Sequence, residues 1–418
     1  MKILISAYAC ETGRGGEGEI GWRIVNSLAE RHDVCVITRA NLHRVHETSY
    51  AGNPKPAGLT FQYFDLPWIF RFYKKGRRFF LVYYYFWQIG VALKARRMLR
   101  EQPADVLHHL IGGMDWMPAG LALCPGAFIW GPVGSENTHP IMFGRLPLRS
   151  RFKEGLRLAL RWIMRNVDPF TRYTGARANL VLSHTPETLP QRYSGKVRCF
   201  TQTGITDVPE LALPKVDVTR KPRLQLVYAG ELKDWKGARI ALDAALAFFE
   251  SGAEADLTVI GDGPLRSEME VIARAHPNGG QVGFLGRVSM ERLVEELHQG
   301  DVFLYPSFHH GLATVVLQAM LTGLPVICIE GDATGRAIGQ EAGITVSLAA
   351  DRKPSIDLAQ AIARLDEDED LRQRLAWTSR KIALERYSYD ALSRRIEQAY
   401  LDVLSVKRMS SDLPGRDR

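Results

Sequence analysis

Two adjacent histidines are the first residues in this chain that could do chemistry. His108 and His109 close the apolar run of ADVLHHLIGGMDW, just before Gly112 and Gly113. If the run is a strand, its alternation sends the pair to opposite faces. At the lip of a cleft a histidine can orient a phosphate or a hydroxyl; packed inside, either one would simply be a hydrogen-bonded core residue. A second group is the glycine crowd of AYACETGRGGEGEIGW: Gly13, Gly15, Gly16, Gly18 and Gly21. Glycine lets backbone N–H groups approach a ligand closely, and a helix start adds partial positive charge that suits phosphate. The spacing is not G-x-G-x-x-G, and a flexible turn is the competing reading. Glu17 and Glu19 would repel a phosphate, so they are expected to face a ligand hydroxyl or to support the helix start.

The second half carries a further set. In AGELKDWKG, Lys236 precedes Gly237 at a helix start, where a point charge can meet a diphosphate; a solvated surface lysine is the alternative. VIGDGPLRSEM ends a strand in a tight turn at Gly263, and GFLGRVS, with Arg287 and Val288, offers backbone groups that could read a nucleobase edge. In YPSFHHGLATVVLQAMLTGLPVI, His310 and Gly311 form a turn and Thr314 lies near a helix start. Gln318 follows His310 by 8 residues, or about two helical turns, so a loop residue and a helix residue can meet one ligand.

These residues need elements to position them. Short β-branched runs alternate with helical patterns along the whole chain. The runs are Lys2–Ala7, Val34–Thr38, Leu59–Phe64, Asp105–His109, Ala127–Trp130, Leu180–Ser183 and Val197–Gln202, then Leu224–Ala229, Leu257–Ile260, Val282–Leu285, Val302–Tyr305, Val326–Ile329 and Ile344–Ser347. That alternation predicts an α/β protein with doubly wound parallel sheets. In such sheets ligands bind beyond the carboxyl ends of the strands, where every candidate above falls. The turn after the fifth run adds Gly131, Pro132, Gly134 and Ser135. The proline-rich stretch 206–222 reads as a linker, which divides the chain into an N-terminal domain 1–205 and a C-terminal domain 223–385, facing each other across a cleft. A last helix over 386–406 and a polar tail at 407–418 follow.

At 418 residues and 46% hydrophobic, the chain is long enough for two or three such cores. Five cysteines without paired spacing argue against a disulfide scaffold or a zinc site. No signal-peptide pattern and no long apolar run are present, which predicts a cytoplasmic protein, soluble or peripheral. The net charge of +8 is unevenly spread: Arg71–Arg100 holds nine basic residues and no acidic one.

With these motifs on the page, the chain resembles glycosyltransferase family 4. The resemblance is carried in order by AYACETGRGGEGEIGW, DVLHHL with FIWGPVGS, AGELKDWKG, IGDGPLR, FLGRVS and YPSFHHGLATVVLQAMLTGLPVI. It implies the GT-B fold of two Rossmann-like domains, a retaining transfer from a nucleotide sugar, no metal, and a final helix that crosses back to the first domain. The donor site it implies comprises Gly15, Gly16, Gly18, Glu231, Lys236, Gly263, Arg287, Val288, His310, Gly311, Leu312, Ala313, Thr314 and Gln318. The acceptor site comprises Glu17, Gly131, Gly134 and Ser135, and the catalytic candidates are His108, His109, Lys236 and His310. Three positions depart from the family. Glu231 stands where an arginine is usual, and His310 and Gln318 replace the two ends of the E-x7-E motif. Glu231 and His310 are expected to pair in a charge exchange; the alternative is a catalytically impaired protein that binds a nucleotide sugar or a partner transferase.

On the acceptor side, the aromatic residues of PWIFRFYKKGRRFFLVYYYFWQIGVALKARRMLR are interleaved with bases. Arg157, Arg161 and Arg165 recur every fourth residue in RSRFKEGLRLALRWIMR. This is the pattern of helices lying on an anionic membrane surface; core packing with a solvated basic face is the bland alternative. No RNA-binding motif accompanies it, so no nucleic-acid partner is expected. The membrane reading makes a lipid-linked glycan the acceptor, in polysaccharide or lipopolysaccharide assembly, at the inner face of the cytoplasmic membrane.

Overall fold

The computed structural model describes residues 1–13, 16–52, 54–71, 79–134, 148–205, 223–308, 311–330, 333–347 and 353–411. The linker read at 206–222, the tail beyond 411, and Gly15, Ser135 and His310 lie outside the described residues. The chain divides into two compact domains. The first is built from Met1–Ser135, Phe152–Gln202 and the C-terminal segment from Tyr389, and the second takes in Thr203–Ser388.

The first domain runs β1 (Lys2–Ala7), α1 (Gly16–Ala29), β2 (Asp33–Arg39), α2 (His43–Tyr50), β3 (Leu59–Phe64), α3 (Phe80–Glu101), β4 (Val106–Ile111), β5 (Ala127–Val133), α4 (Leu148–Asn166), α5 (Pro169–Arg177), β6 (Leu180–Ser183) and β7 (Val197–Cys199). Its strands form one parallel sheet in the order β3-β2-β1-β4-β5-β6-β7. The central strands are apolar on both sides because helices cover both faces. Ile3, Ile5, Val106 and Ile129 meet Ile24, Val25 and Leu28 of α1 on one face. On the other, Leu4, Leu107, Phe128 and Trp130 meet Tyr83, Tyr84, Trp87 and Val91 of α3.

The second domain repeats the plan with β8 (Leu224–Ala229), α6 (Ala238–Phe249), β9 (Ala255–Ile260), α7 (Arg266–Ala275), β10 (Val282–Gly286), α8 (Met290–Gln299), β11 (Val302–Tyr305), α9 (Thr314–Leu321), β12 (Val326–Ile329), α10 (Ala333–Ile338), β13 (Gly343–Val346), α11 (Pro354–Glu367) and α12 (Glu369–Tyr387). Its parallel sheet has the order β10-β9-β8-β11-β12-β13. The last helix, α13 (Tyr389–Ser411), belongs to the first domain. It adds Leu392, Ile396, Ala399, Tyr400 and Val403 to the core beside α1. That spacing is the one-face stripe of an amphipathic helix.

Both sheets reverse their strand order once, between β1 and β4 and between β8 and β11. Such switch points leave a crevice at the carboxyl ends of the strands.

Two expectations are corrected by the fold. Gly131 is not a turn residue: β5 continues through it to Val133, and pairing with β6 resumes at Val133 opposite Ser183 after a shift of register. A side chain at position 131 would meet the Leu182 carbonyl at 2.1 Å, and the backbone there has φ of 119°. The arginine stripe of α4 is also split: Arg157 stays exposed and pairs with Glu154, whereas the other two turn inward. Arg161 is buried, with its guanidinium 5.8 Å from the Trp116 ring centre. Arg165 pairs with the buried Asp115 at 3.2 Å and donates to the Thr188 carbonyl. A buried carboxylate needs a cation beside it, and that requirement draws Arg165 inward. What α4 leaves in water is mixed: the apolar Phe152, Leu156, Trp162 and Ile163 together with the basic Lys153 and Arg157. No described helix is long and apolar enough to cross a membrane.

Candidate active site

In the first domain the candidates gather at the switch between β1 and β4. His109 stands opposite Ser6 on β1 and Trp130 on β5, so it shares their face of the sheet. His108 points the other way, as strand alternation requires. Its Nε2 lies 2.6 Å from the Gly131 carbonyl and its Nδ1 2.7 Å from the Tyr400 hydroxyl. A carbonyl only accepts, so Nε2 carries the proton and Nδ1 accepts from Tyr400. Burial pushes the His108 pKa down to about 4, and the ring is neutral. With both nitrogens engaged inside the fold, His108 is a core residue that holds α13, and the catalytic expectation rests on its neighbour.

His109 is buried too, and desolvation pushes its pKa down to about 3. Its Nε2 lies 3.3 Å from the Tyr84 hydroxyl on α3, while its buried Nδ1 has no hydrogen-bond partner. Gly112, at φ 123°, lets the chain turn there, since a side chain would run into the Tyr84 hydroxyl at 2.0 Å. Beside it, a Cβ on Gly113 would lie 3.1 Å from a Glu17 carboxylate oxygen and 3.9 Å from the Gln202 amide nitrogen. Gln202 also has a buried, unpartnered amide oxygen. Glu17, His109, Tyr84 and Gln202 therefore converge on the two glycines after β4. Desolvated, unpartnered polar atoms of this kind are rare in a closed core and frequent where a polar ligand completes the site.

The glycine loop sits next to this cluster and is tied by carboxylates. Gly13 N–H donates to Glu19 at 2.8 Å, and Glu19 also pairs with Arg23 at 2.8 Å. The buried Glu11 accepts from the Cys10 N–H at 3.1 Å and pairs with Arg39 at 3.0 Å. Gly18 is backed against that Glu11 side chain, while the space beside Gly16 is open. Gly134 is buried against His184 and Thr185, and its N–H donates to the Gly113 carbonyl at 2.8 Å. Sequence reading overlooked Glu11, Arg39, Tyr84 and Gln202. Their partners are 28 residues away for Glu11 and Arg39 and 25 for Tyr84 and His109, and no local spacing reports such a pairing.

In the second domain Lys236 sits at the switch between β8 and β11, where its Nζ lies 3.4 Å from the Tyr305 hydroxyl at the end of β11. The loop after β8 is braided into its neighbours. Leu232 N–H donates to the Asp262 carbonyl at 3.1 Å, Leu265 N–H to the Leu232 carbonyl at 3.1 Å, and Phe308 N–H to the Trp235 carbonyl at 2.9 Å. Gly263 thus lies against Lys236's loop. The ends of β8, β9 and β11 therefore form one polar floor. Arg287 is exposed just past β10, with Val288 half-buried next to it. Leu312 is buried and its carbonyl accepts from Thr203 at 2.9 Å; Ala313 caps α9, and Thr314 opens it. Gln318 donates to the Met290 sulfur at 3.0 Å. Of the expected Glu231–His310 pair, His310 lies outside the described residues; Glu231 forms an ion pair with Lys233 at 2.5 Å. Among the described residues no group of three or more His, Cys, Asp and Glu side chains could hold a metal ion.

Residues 212–382 match the family model "Glycosyl transferases group 1". An alpha-D-kanosaminyltransferase of Streptomyces kanamyceticus is 25% identical over 179 residues, 43% of this chain and 45% of that protein. The chain thus spans under half the length of that relative. Among solved structures, a lipopolysaccharide outer core galactosyltransferase WaaB superposes with a TM-score of 0.62 at 12% identity, over 96% of this chain and 99% of that one. The Anabaena protein HepE in complex with UDP superposes with a TM-score of 0.56 at 14% identity, over 96% and 100%. These neighbours share the GT-B fold of two Rossmann-like domains, and the matches together support a glycosyltransferase.

Proposed function

We propose that this chain is a retaining glycosyltransferase of the hexosyltransferase type. It moves a sugar from a nucleoside diphosphate sugar to a lipid-linked glycan in surface polysaccharide or lipopolysaccharide assembly, as a peripheral protein on the inner face of the cytoplasmic membrane and without a metal. The observation that carries the reading is Lys236 at the second sheet's switch point, inside the segment that matches the family model. A cation held there stabilises the charge that develops on a departing diphosphate. In the first domain His109 and Glu17 supply polar groups for an acceptor hydroxyl, and the HepE complex supports a uridine nucleotide as one donor. The exposed apolar side chains of α4, beside the exposed Lys153 and Arg157, support the membrane placement.

A second reading, a nucleotide-sugar-binding protein with impaired chemistry, is favoured by Glu231 and Gln318, whose side chains bond to Lys233 and Met290. One experiment separates the two. UDP-, GDP- and ADP-sugars are screened by thermal shift, and the stabilising one is then incubated with lipid-phosphate-linked sugar acceptors while released nucleotide is measured. The transferase reading expects stabilisation and acceptor-dependent nucleotide release, with retained anomeric configuration by NMR. Stabilisation without release selects the second reading, and the absence of both removes the donor site.

A further inference from the structure

A groove between β3 and α3 of the first domain belongs to neither cluster. It has a volume of about 630 Å³ and an apolar wall that includes Phe64, Leu66, Phe70, Phe86, Ile89 and Leu93. That volume falls within the range of small-molecule sites. Its charged lining is Lys94, Arg97 and Glu101. Lys94 and Arg97 are three residues apart on α3, so both reach one neighbouring group. Phe70 and Phe86 stand 6.4 Å apart between ring centres, and both are partly in water. Trp68 and Ile69, next to Phe70, are 69% and 51% exposed, and Leu93 is 65% exposed. Tyr85, on the same helix, donates its hydroxyl to Asp168 at 2.8 Å, between α4 and α5. Exposed apolar side chains gathered at a groove in this way mark an interaction site.

We infer that this groove seats a hydrocarbon chain of an anionic phospholipid, whose phosphate is held by Lys94 and Arg97. The inference rests on the membrane placement proposed above and names the lipid contact within it. The wall is aliphatic and aromatic, which suits a chain, and the basic surplus from Arg71 to Arg100 suits an anion. Long cationic side chains lie along apolar surface with their heads at the polar boundary, as a lipid phosphate requires.

The test uses the full chain with phosphatidylcholine vesicles, with and without phosphatidylglycerol carrying a photoreactive group on one acyl chain. Labelled residues are mapped by mass spectrometry, and vesicle flotation is measured in parallel. Labelling is expected on Phe64–Phe70 and on residues 86–97. It should fall severalfold in Ile89→Trp, which fills the groove, and in Leu93→Glu, an exposed position where the fold tolerates charge. It should fall likewise in the Lys94→Gln/Arg97→Gln double variant. Flotation without labelling in the groove overturns the inference and leaves the membrane placement standing. Loss of both flotation and labelling overturns both. Equal labelling by a neutral photoreactive lipid removes the phosphate contact. A lipid-free dimer that Leu93→Glu dissociates, seen by light scattering, assigns the groove to a second copy instead.

Discussion

At the scale of single residues, Lys236 and His109 are expected to fail in different ways. Lys236 lies beside Tyr305 with its ammonium at the switch point, and a charge-assisted contact is worth about 1.5–3 kcal/mol. Lys236→Ala should therefore lower kcat/KM for the nucleotide sugar by about 10- to 150-fold, and thermal stabilisation by the nucleotide alone should weaken in step. Lys236→Arg keeps a charge but spreads it over a planar fork, so it should recover part of the loss. His109→Gln keeps a polar group near Tyr84, yet it removes a neutral imidazole from the acceptor side. It should lower turnover by roughly 10²–10³-fold, as loss of a preorganised polar contact does, and leave stabilisation by the nucleotide unchanged. Equal effects of the two variants on nucleotide binding would place both residues on the donor. Steady-state kinetics and thermal shift on the same preparations decide between these outcomes.

At the scale of elements, the helix α4 shows what its sequence could and could not say. The period of Arg157, Arg161 and Arg165 reads as one solvated face, but Arg161 and Arg165 turn inward while Arg157 stays exposed, and what holds Arg165 is Asp115, far away in sequence. Arg165→Ala would break the ion pair with that buried carboxylate and should destabilise the first domain by about 3–5 kcal/mol. An Asp115→Leu/Arg165→Met double variant should lose less, because it removes both charges of the pair together. Chemical denaturation of the three proteins measures both numbers, and equal losses would mean that the packing of the pair matters more than its charge. The thirteen strands among the described residues were legible, because parallel strands covered on both faces read as short apolar runs. Their ends were not: β5 runs on through Gly131 because the Leu182 backbone packs against that glycine, and β7 stops at Cys199. Strand alternation separated His108 from His109, but it could not say that Tyr400, 292 residues on, claims the first. Nor could it place Tyr84 on the second. The glycine loop and Lys236 were legible because each follows directly on a strand that borders a switch point.

At the scale of the molecule, the buried histidines make stability depend on pH in one domain above all. An unfolded histidine takes up a proton near pH 6.5, whereas His108 and His109 resist protonation until about pH 4 and about pH 3. Burial also lowers the pKa of His46, whose two ring nitrogens lie 2.9 Å from the Tyr63 hydroxyl and 2.6 Å from the Cys10 carbonyl. Between those values and 6.5 the unfolded chain binds protons that the native fold does not, so acid favours unfolding. Above about pH 7 both states are neutral at these sites, and their contribution is complete and flat. Below the unfolded pKa each such histidine contributes a slope of up to about 1.4 kcal/mol per pH unit. All three lie in the first domain. In the second domain His298 is shifted in the same direction by burial and by Arg380. The first domain should therefore lose stability faster as pH falls from neutrality toward 5. Limited proteolysis in urea at several pH values, with fragments assigned to each domain by mass, reads this directly. His108→Leu should lower the first domain's slope by about one proton in that window, whatever its effect on absolute stability. An unchanged slope in that variant would mean that His108 is already protonated in the fold, and its Nδ1 would then donate to Tyr400 instead of accepting from it.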